Sequence, residues 1–343
     1  LIPGFVPMTG SLIAGRLDSA YTAIDLVEPR YYSGHENFLA IHAVRDEYKK
    51  VQAWINHDRL GTILAAHSTA RSFEEVHGKE SKVVQVEPVE LSPKQRACYD
   101  KFEKDALLEL DDRYLDGSLP GVNAIRCRQI LAHPECIKLP TAHDDKGKPI
   151  AWQTYDLMKG ETTGKDLRLE LHFDNHRERK EQVAVFGTFH AEIERIAVLS
   201  EKCGLRTSVI HGGISGTERA RVDKALRTGD LDAIIATCAT AGVGLNWEYL
   251  NHMIFASLDY QDDNFFQAYR RAMRGPRSSP LWITILEYLR TIDQTIMAIV
   301  ERKSRDAAKV EKRRESISFR TPTGPSKRSK SNDFLRQVAA RRK

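Results

Sequence analysis

No stretch of this chain approaches the roughly 18 consecutive apolar residues that a membrane-spanning helix needs, and no basic-then-apolar export signal opens it. Cysteine is sparse: Cys98, Cys127, Cys136, Cys203 and Cys238 make five, an odd total without a CxxC pair. That argues against a zinc ribbon or a disulfide scaffold and fits scattered thiols in a reducing compartment. No internal repeat is present. Complete nucleotide-binding fingerprints are lacking too. Gly242 and Gly244 form a GxG, but no third glycine and no later strand-end acid complete a dinucleotide site, which weakens a Rossmann-type reading. Gly160 to Asp166 (GETTGKD) is one residue short of GxxxxGK[ST], ends in Asp, and follows no buried strand. Asp46-Glu47-Tyr48-Lys49 resembles a DExx box but lies in a polar segment that reads as helical. His133 and His211 have no Cys or His partner at ligand spacing, so no metal site is expected.

What remains is an ordinary globular composition: 343 residues, 41% hydrophobic and 29% charged, enough for about two domains. Leu1 stands where a start Met is expected, so the chain is read as beginning inside a longer protein. The net charge of +5 conceals an asymmetry. From Glu301 onward there are 15 Lys+Arg against 5 Asp+Glu, while the rest carries 37 basic and 42 acidic residues. A basic arm on a near-neutral body suits a polyanionic partner such as nucleic acid, or a solubilising tail.

Along the chain, Asn37 to Ile55 shows helical spacing, and Ser81 to Leu91 alternates as a strand. Ser92, Pro93 and Gln95 mark a helix start, with that helix running to about Asp112. Asn123 to Ala132 reads as a second helix, closed by His133-Pro134. Thr141 to Gly164, rich in Gly, Lys and Asp, reads as a linker. Beyond Lys165 the pattern turns regular. Strands are expected at Val183–Phe186, Thr207–Ile210, Leu231–Ala236, Met253–Ser257 and Trp282–Leu286. Helices are expected at Ala191–Cys203, Thr217–Leu226, Gln267–Met273 and Asp293–Lys303. This alternation implies an α/β fold, a parallel sheet with helices on both faces, whose loops at His211, Thr237 and Leu258 share a ligand-binding edge. The stretch after about Lys309 is read as disordered.

One constellation carries chemistry. In QAYRRAMRG, Gln267 is followed by Arg271 and Arg274 at offsets of four and seven. On a helix, one turn separates the two guanidiniums, so both face one way, as a transferring phosphoryl group requires. Upstream, Ala236 to Asn246 (ATCATAGVGLN) is an apolar run ending in a Gly-rich turn, suited to close approach by a nucleotide or a phosphate backbone.

In this order the two segments resemble motifs V and VI of superfamily-2 helicases, and the likeness extends from Met8 to about Ile299. MTGSLI, Met8 to Ile13, is similar to the LTGTPI motif III of Swi/Snf-type superfamily-2 ATPases, including phage and bacterial members. Val89 to Gln95 with Tyr99 resembles "L-S-x-x-Q-x-x-x-Y", and Ile125 to Ile130 with His133-Pro134 resembles "LRQxxxHP". Val183 to Phe189 is similar to motif IV, and Ile292-Asp293 to the following "TIDE" element.

The resemblance implies a RecA-like domain at 165–303. Ahead of it would lie the end of a first RecA-like domain and the start of a helical insertion (1–90), then the insertion and linker (91–164). A basic, disordered tail (304–343) would follow. It implies ATP-dependent translocation on or remodelling of DNA, with RNA not excluded. ATP and Mg2+ would be held mainly by an upstream RecA-like lobe carrying motifs I and II, and the chain alone would be inactive. Arg274 takes the finger role, Arg271 a γ-phosphate contact, and Gln267 positions both. Gly242, Gly244 and Asn246 couple ATP to the cleft, and Thr9, Gly10 and Ser11 transmit the nucleotide state. Thr188, His211, Gly212, Gly213 and Thr237 face the nucleic-acid backbone. No membrane partner is implied, and the location is cytoplasmic, or nuclear in a eukaryote. Arg274-Gly275-Pro276-Arg277 departs from the family's "RxGQ". A nucleic-acid-binding or scaffolding module without its own ATPase is the alternative.

Overall fold

The computed structural model describes residues 12–13, 17–110, 113–241, 245–311 and 316–319. Its centre is a six-stranded, wholly parallel sheet in the order β3-β12-β11-β8-β10-β9. These strands are β3 Lys82–Val89, β8 Val183–Gly187, β9 Thr207–Ile210, β10 Ala233–Thr237, β11 His252–Phe255 and β12 Leu281–Tyr288. VAVFG and AIIAT are buried at every position, the signature of parallel strands covered on both faces. The fold is an α/β RecA-like fold, as expected.

Side chains alternate between two cores. One face packs Phe186, Ile234, Phe255 and Ile283 under helices α9 Gly216–Thr228, α11 Asp262–Arg270 and α12 Ile292–Val310. The other packs Val185, Ile235, Ile254 and Tyr288 under α5 Pro93–Asp105, α6 Pro120–Ala132, α7 Gly164–Arg179 and α8 His190–Lys202. A short α10, Cys238–Ala241, follows β10 directly.

The expected division of the chain changes in four places. The strand at 81–91 is real, but β3 pairs with β12 over its whole length, so the main sheet draws on residues before 165. As an edge strand it tolerates Pro88. Second, α5 and α6 pack on the sheet face and share its core rather than standing apart as an insertion. Third, Thr141 to Gly164 is no plain linker. Strands β6 Ile137–His143 and β7 Pro149–Tyr155 form an antiparallel hairpin there, with Ile137, Leu139 and Tyr155 inward. A smaller hairpin joins β4 Leu107–Glu109 to β5 Tyr114–Asp116, so α5 stops at Asp105 rather than near Asp112.

Fourth, the tail does not begin at 304. Helix α12 continues to Val310, and Phe319 is buried against Phe265 at 5.5 Å between ring centroids. Ala307 and Val310 enter a third core with α1 Ser19–Val27, α2 His35–His42 and α3 His57–His67. The expected helix over 37–55 breaks at His42 into a hairpin of β1 Ala43–Arg45 and β2 Val51–Trp54. Its turn is tied by Asp46, which accepts from the amides of Tyr48 and Lys50, both at 2.9 Å. Helix α4, Phe73–His77, begins at a Ser72–Glu75 capping box and leads toward β3.

Candidate functional site

Helix α11 starts beyond the carboxyl end of β11 and returns toward the amino end of β12. It was expected to carry Gln267, Arg271 and Arg274 on one continuous stretch to Met273. The α-helix instead ends at Arg270, and Arg271 is its C-cap. Two i→i−3 bonds follow, Ala272 N–H to the Tyr269 carbonyl at 3.0 Å and Met273 N–H to that of Arg270 at 3.2 Å. Gly275-Pro276 lies just beyond, where the proline keeps the helix from resuming. Arg271 and Arg274 nonetheless lie close enough for the charge of one to act on the other.

Burial and the neighbouring Arg274 charge lower the Arg271 pKa. Among the described residues neither arginine forms an ion pair. Arg271 keeps a buried Nε without a hydrogen-bond partner, and the exposed Arg274 makes one long bond, to the Leu245 carbonyl at 3.4 Å. Two like charges held together without a counter-charge create a site for an anion. Gln267, expected to position both, donates to Asp263 Oδ2 at 2.5 Å and bonds neither guanidinium.

The segment after the Gly-rich turn is laced to this loop. Trp247 N–H donates to the Arg271 carbonyl at 2.9 Å, and its indole N–H to Asp223 at 2.9 Å. Asn246 lies beside Trp247 with its Oδ1 buried and unpartnered. Arg277, at the departure from "RxGQ", turns inward. It donates to the carbonyls of Glu248, Ala272 and Leu250, each at 2.7 Å, and to Asn251 Oδ1 at 2.8 Å. Gly242 and Gly244, and Thr9, Gly10 and Ser11, lie outside the described residues.

A second group lies at the carboxyl ends of the central strands. Thr188 follows β8, His211 follows β9 and Thr237 ends β10, so adjacent strands bring them together. Their hydroxyls are engaged internally: Thr188 with Ser257 at 2.8 Å, Thr237 with Thr240 at 2.6 Å. His211 Nδ1 accepts from the Gly213 amide at 3.0 Å, shaping the turn through the exposed Gly212 and Gly213. Glu192, which the sequence did not single out, organises this edge. Its buried carboxylate accepts from the Thr188 amide at 2.7 Å and the Ser257 hydroxyl at 2.8 Å, while burial raises its pKa. A side chain at Gly187 would meet that carboxylate at 2.9 Å, so only glycine fits there.

Lys165, in the near-miss phosphate loop, is spent inside the fold. Its ammonium donates to the Ala256 carbonyl at 2.6 Å and to Asp293 at 2.8 Å, and Thr163 and Asp166 cap α7 around it.

Residues 164–276, from the start of α7 through the arginine turn, match the family described as helicase conserved C-terminal domain. The solved structure of the C-terminal part of the Fun30 ATPase domain resembles this chain in fold, with a TM-score of 0.52 and 14% identity. That likeness covers 76% of this chain and 96% of the other. The family match marks 164–276 as similar to a helicase C-terminal domain, and the structural likeness is one of fold.

Proposed function

We propose that this chain is the arginine-donating lobe of a Swi/Snf-type ATP-dependent helicase or translocase acting on DNA. Arg271 and Arg274 face a MgATP held by an upstream RecA-like lobe, and the carboxyl edge at Thr188, His211 and Thr237 faces the strand. The observation that carries the reading is the uncompensated guanidinium pair. Elsewhere in the same turn, Arg270 is ion-paired to buried Glu80 and Arg277 is consumed by carbonyls, yet among the described residues Arg271 and Arg274 have no acid partner.

Planar forks so placed stabilise charge that grows on a transferring phosphoryl group, and such a contact is worth roughly 10³ to 10⁵ in rate. The lacing of Trp247 to Arg271 and of Arg274 to Leu245 ties this pair to the segment that leaves the nucleic-acid edge after β10. Movement of one is therefore transmitted to the other.

The test is Arg274→Ala in the protein that carries both lobes. DNA-stimulated ATP hydrolysis is expected to fall by about 10³-fold or more while ATP binding persists. Turnover at the wild-type rate would show that the pair serves something other than phosphoryl transfer, and would favour a binding or scaffolding module.

A further inference from the structure

The sheet has a topological switch point between β8 and β11. Helix α8 leaves β8 on one face toward β9, whereas α11 leaves β11 on the opposite face toward β12. In open α/β sheets the crevice beyond such a point is where ligands bind. Here it is bridged by the Thr188–Ser257 hydrogen bond and entered by a residue from outside the sheet.

That residue is Arg128 of α6. Its guanidinium lies between two rings, 5.2 Å from the centroid of Phe189, which follows β8, and 5.2 Å from that of Tyr260, which follows β11. One amino group donates to the Leu258 carbonyl at 3.3 Å. The side chain is only partly buried. Among the described residues it has no carboxylate partner; the nearby Asp259 is spent on the Gln261 amide at 2.8 Å and on Asn264 at 2.7 Å. Lys303 adds a second cation, donating to the Tyr260 carbonyl at 2.6 Å.

We infer that Arg128 is a nucleic-acid phosphate contact at the switch-point crevice, held ready by Phe189 and Tyr260. This rests on the nucleic-acid reading above. Aromatic faces hold the plane of a guanidinium without consuming its N–H groups, so the remaining donors keep the fork that fits two phosphate oxygens. Thr188 and Thr237 have engaged their hydroxyls internally, while Arg128 and Lys303 bring positive charge to this crevice.

The experiment measures binding of a labelled DNA duplex by this chain across a salt series. It compares wild type, Arg128→Ala, Arg128→Gln and Arg206→Ala. Arg206 pairs with Asp232 before β10, at the opposite end of the strands, and controls for loss of a distant positive charge. Arg128→Ala is expected to weaken binding about tenfold or more and to reduce the salt slope by about one phosphate contact. Arg206→Ala should leave the slope unchanged. If Arg128→Ala does not fold, the near-isosteric Arg128→Gln is read the same way. A wild-type slope in a folded Arg128 variant overturns this inference alone. Absence of salt-dependent DNA binding by the wild-type chain overturns the nucleic-acid reading beneath it.

Discussion

Four arginines within eight positions meet three different fates, and the difference lies in what receives their N–H groups. Arg270 stacks on Phe266 at 4.8 Å and pairs with Glu80, anchoring the helix end. Among the described residues Arg271 and Arg274 have no ion-pair partner. Arg277 binds the loop together through four backbone carbonyls and a side-chain amide. Replacing Arg277 by Ala leaves those acceptors without their donor, and unfolding stability is expected to fall by about 2–4 kcal/mol. Urea denaturation checks this, and an unchanged midpoint would show that the loop holds without the guanidinium. The arginine cluster was visible in QAYRRAMRG. Which of its members faced inward was not, because helix ends and turns set those directions only once α11 packs on the sheet.

At the scale of elements, α7, β11 and β12 are joined by a chain of hydrogen bonds whose proton order follows once both imidazoles are neutral. His176 Nδ1–H must donate to the Glu181 carbonyl, 3.1 Å away, so its Nε2 accepts from His252 Nδ1–H at 2.8 Å. His252 Nε2 then accepts from the Thr284 hydroxyl at 2.8 Å, and Thr284 in turn accepts from Gln85 of β3 at 2.9 Å. That order satisfies every partner with both imidazoles neutral, the form that burial favours. Burial and the neighbouring His176 and His172 push His252 down to about 3, and burial lowers His176.

In the unfolded chain the same groups protonate near a pH of about 6.5. Below that the unfolded state binds more protons than the folded one, so stability is full above about 6.5 and declines as pH falls toward the folded values. Melting temperature should therefore drop between about pH 6.5 and pH 4.5, and His252→Gln should flatten the drop. His133, which burial lowers to about 4, leaves a residual slope in that variant. An identical acid slope in His252→Gln would remove this pair as its source.

The elements themselves were unequally legible. The strands at 183–187 and 233–237 stood out because a doubly covered parallel strand is an unbroken apolar run. Hairpin β6–β7 was missed because most of its residues are exposed, so its composition reads as a linker.

At the scale of the molecule, α12 is the spine. Its first half packs under the sheet through Ile296, Met297 and Val300, and its last turns pack Ala307 and Val310 among the amino-terminal helices. The joint is close: a Cβ at Gly61 of α3 would lie 2.8 Å from the Val310 carbonyl oxygen. Gly61→Ala is expected to cost about 1–3 kcal/mol through overpacking. Hydrogen exchange should speed in α1 to α3 while the central strands keep their protection. Equal loosening of both would mean that the third core and the sheet unfold as one unit.

Composition and periodicity alone determined that this chain builds a parallel α/β lobe, and motif order pointed to its helicase-like character. Both are local properties: strand burial imprints continuous apolar runs, and the chemistry needs particular side chains at short spacing. Tertiary structure alone decided that Lys82–Val89 completes the sheet, that Phe319 returns to the core, and that Arg128 enters the crevice between β8 and β11. Each of these depends on partners far away along the chain, and pairing at that distance leaves no trace in a residue's immediate neighbours.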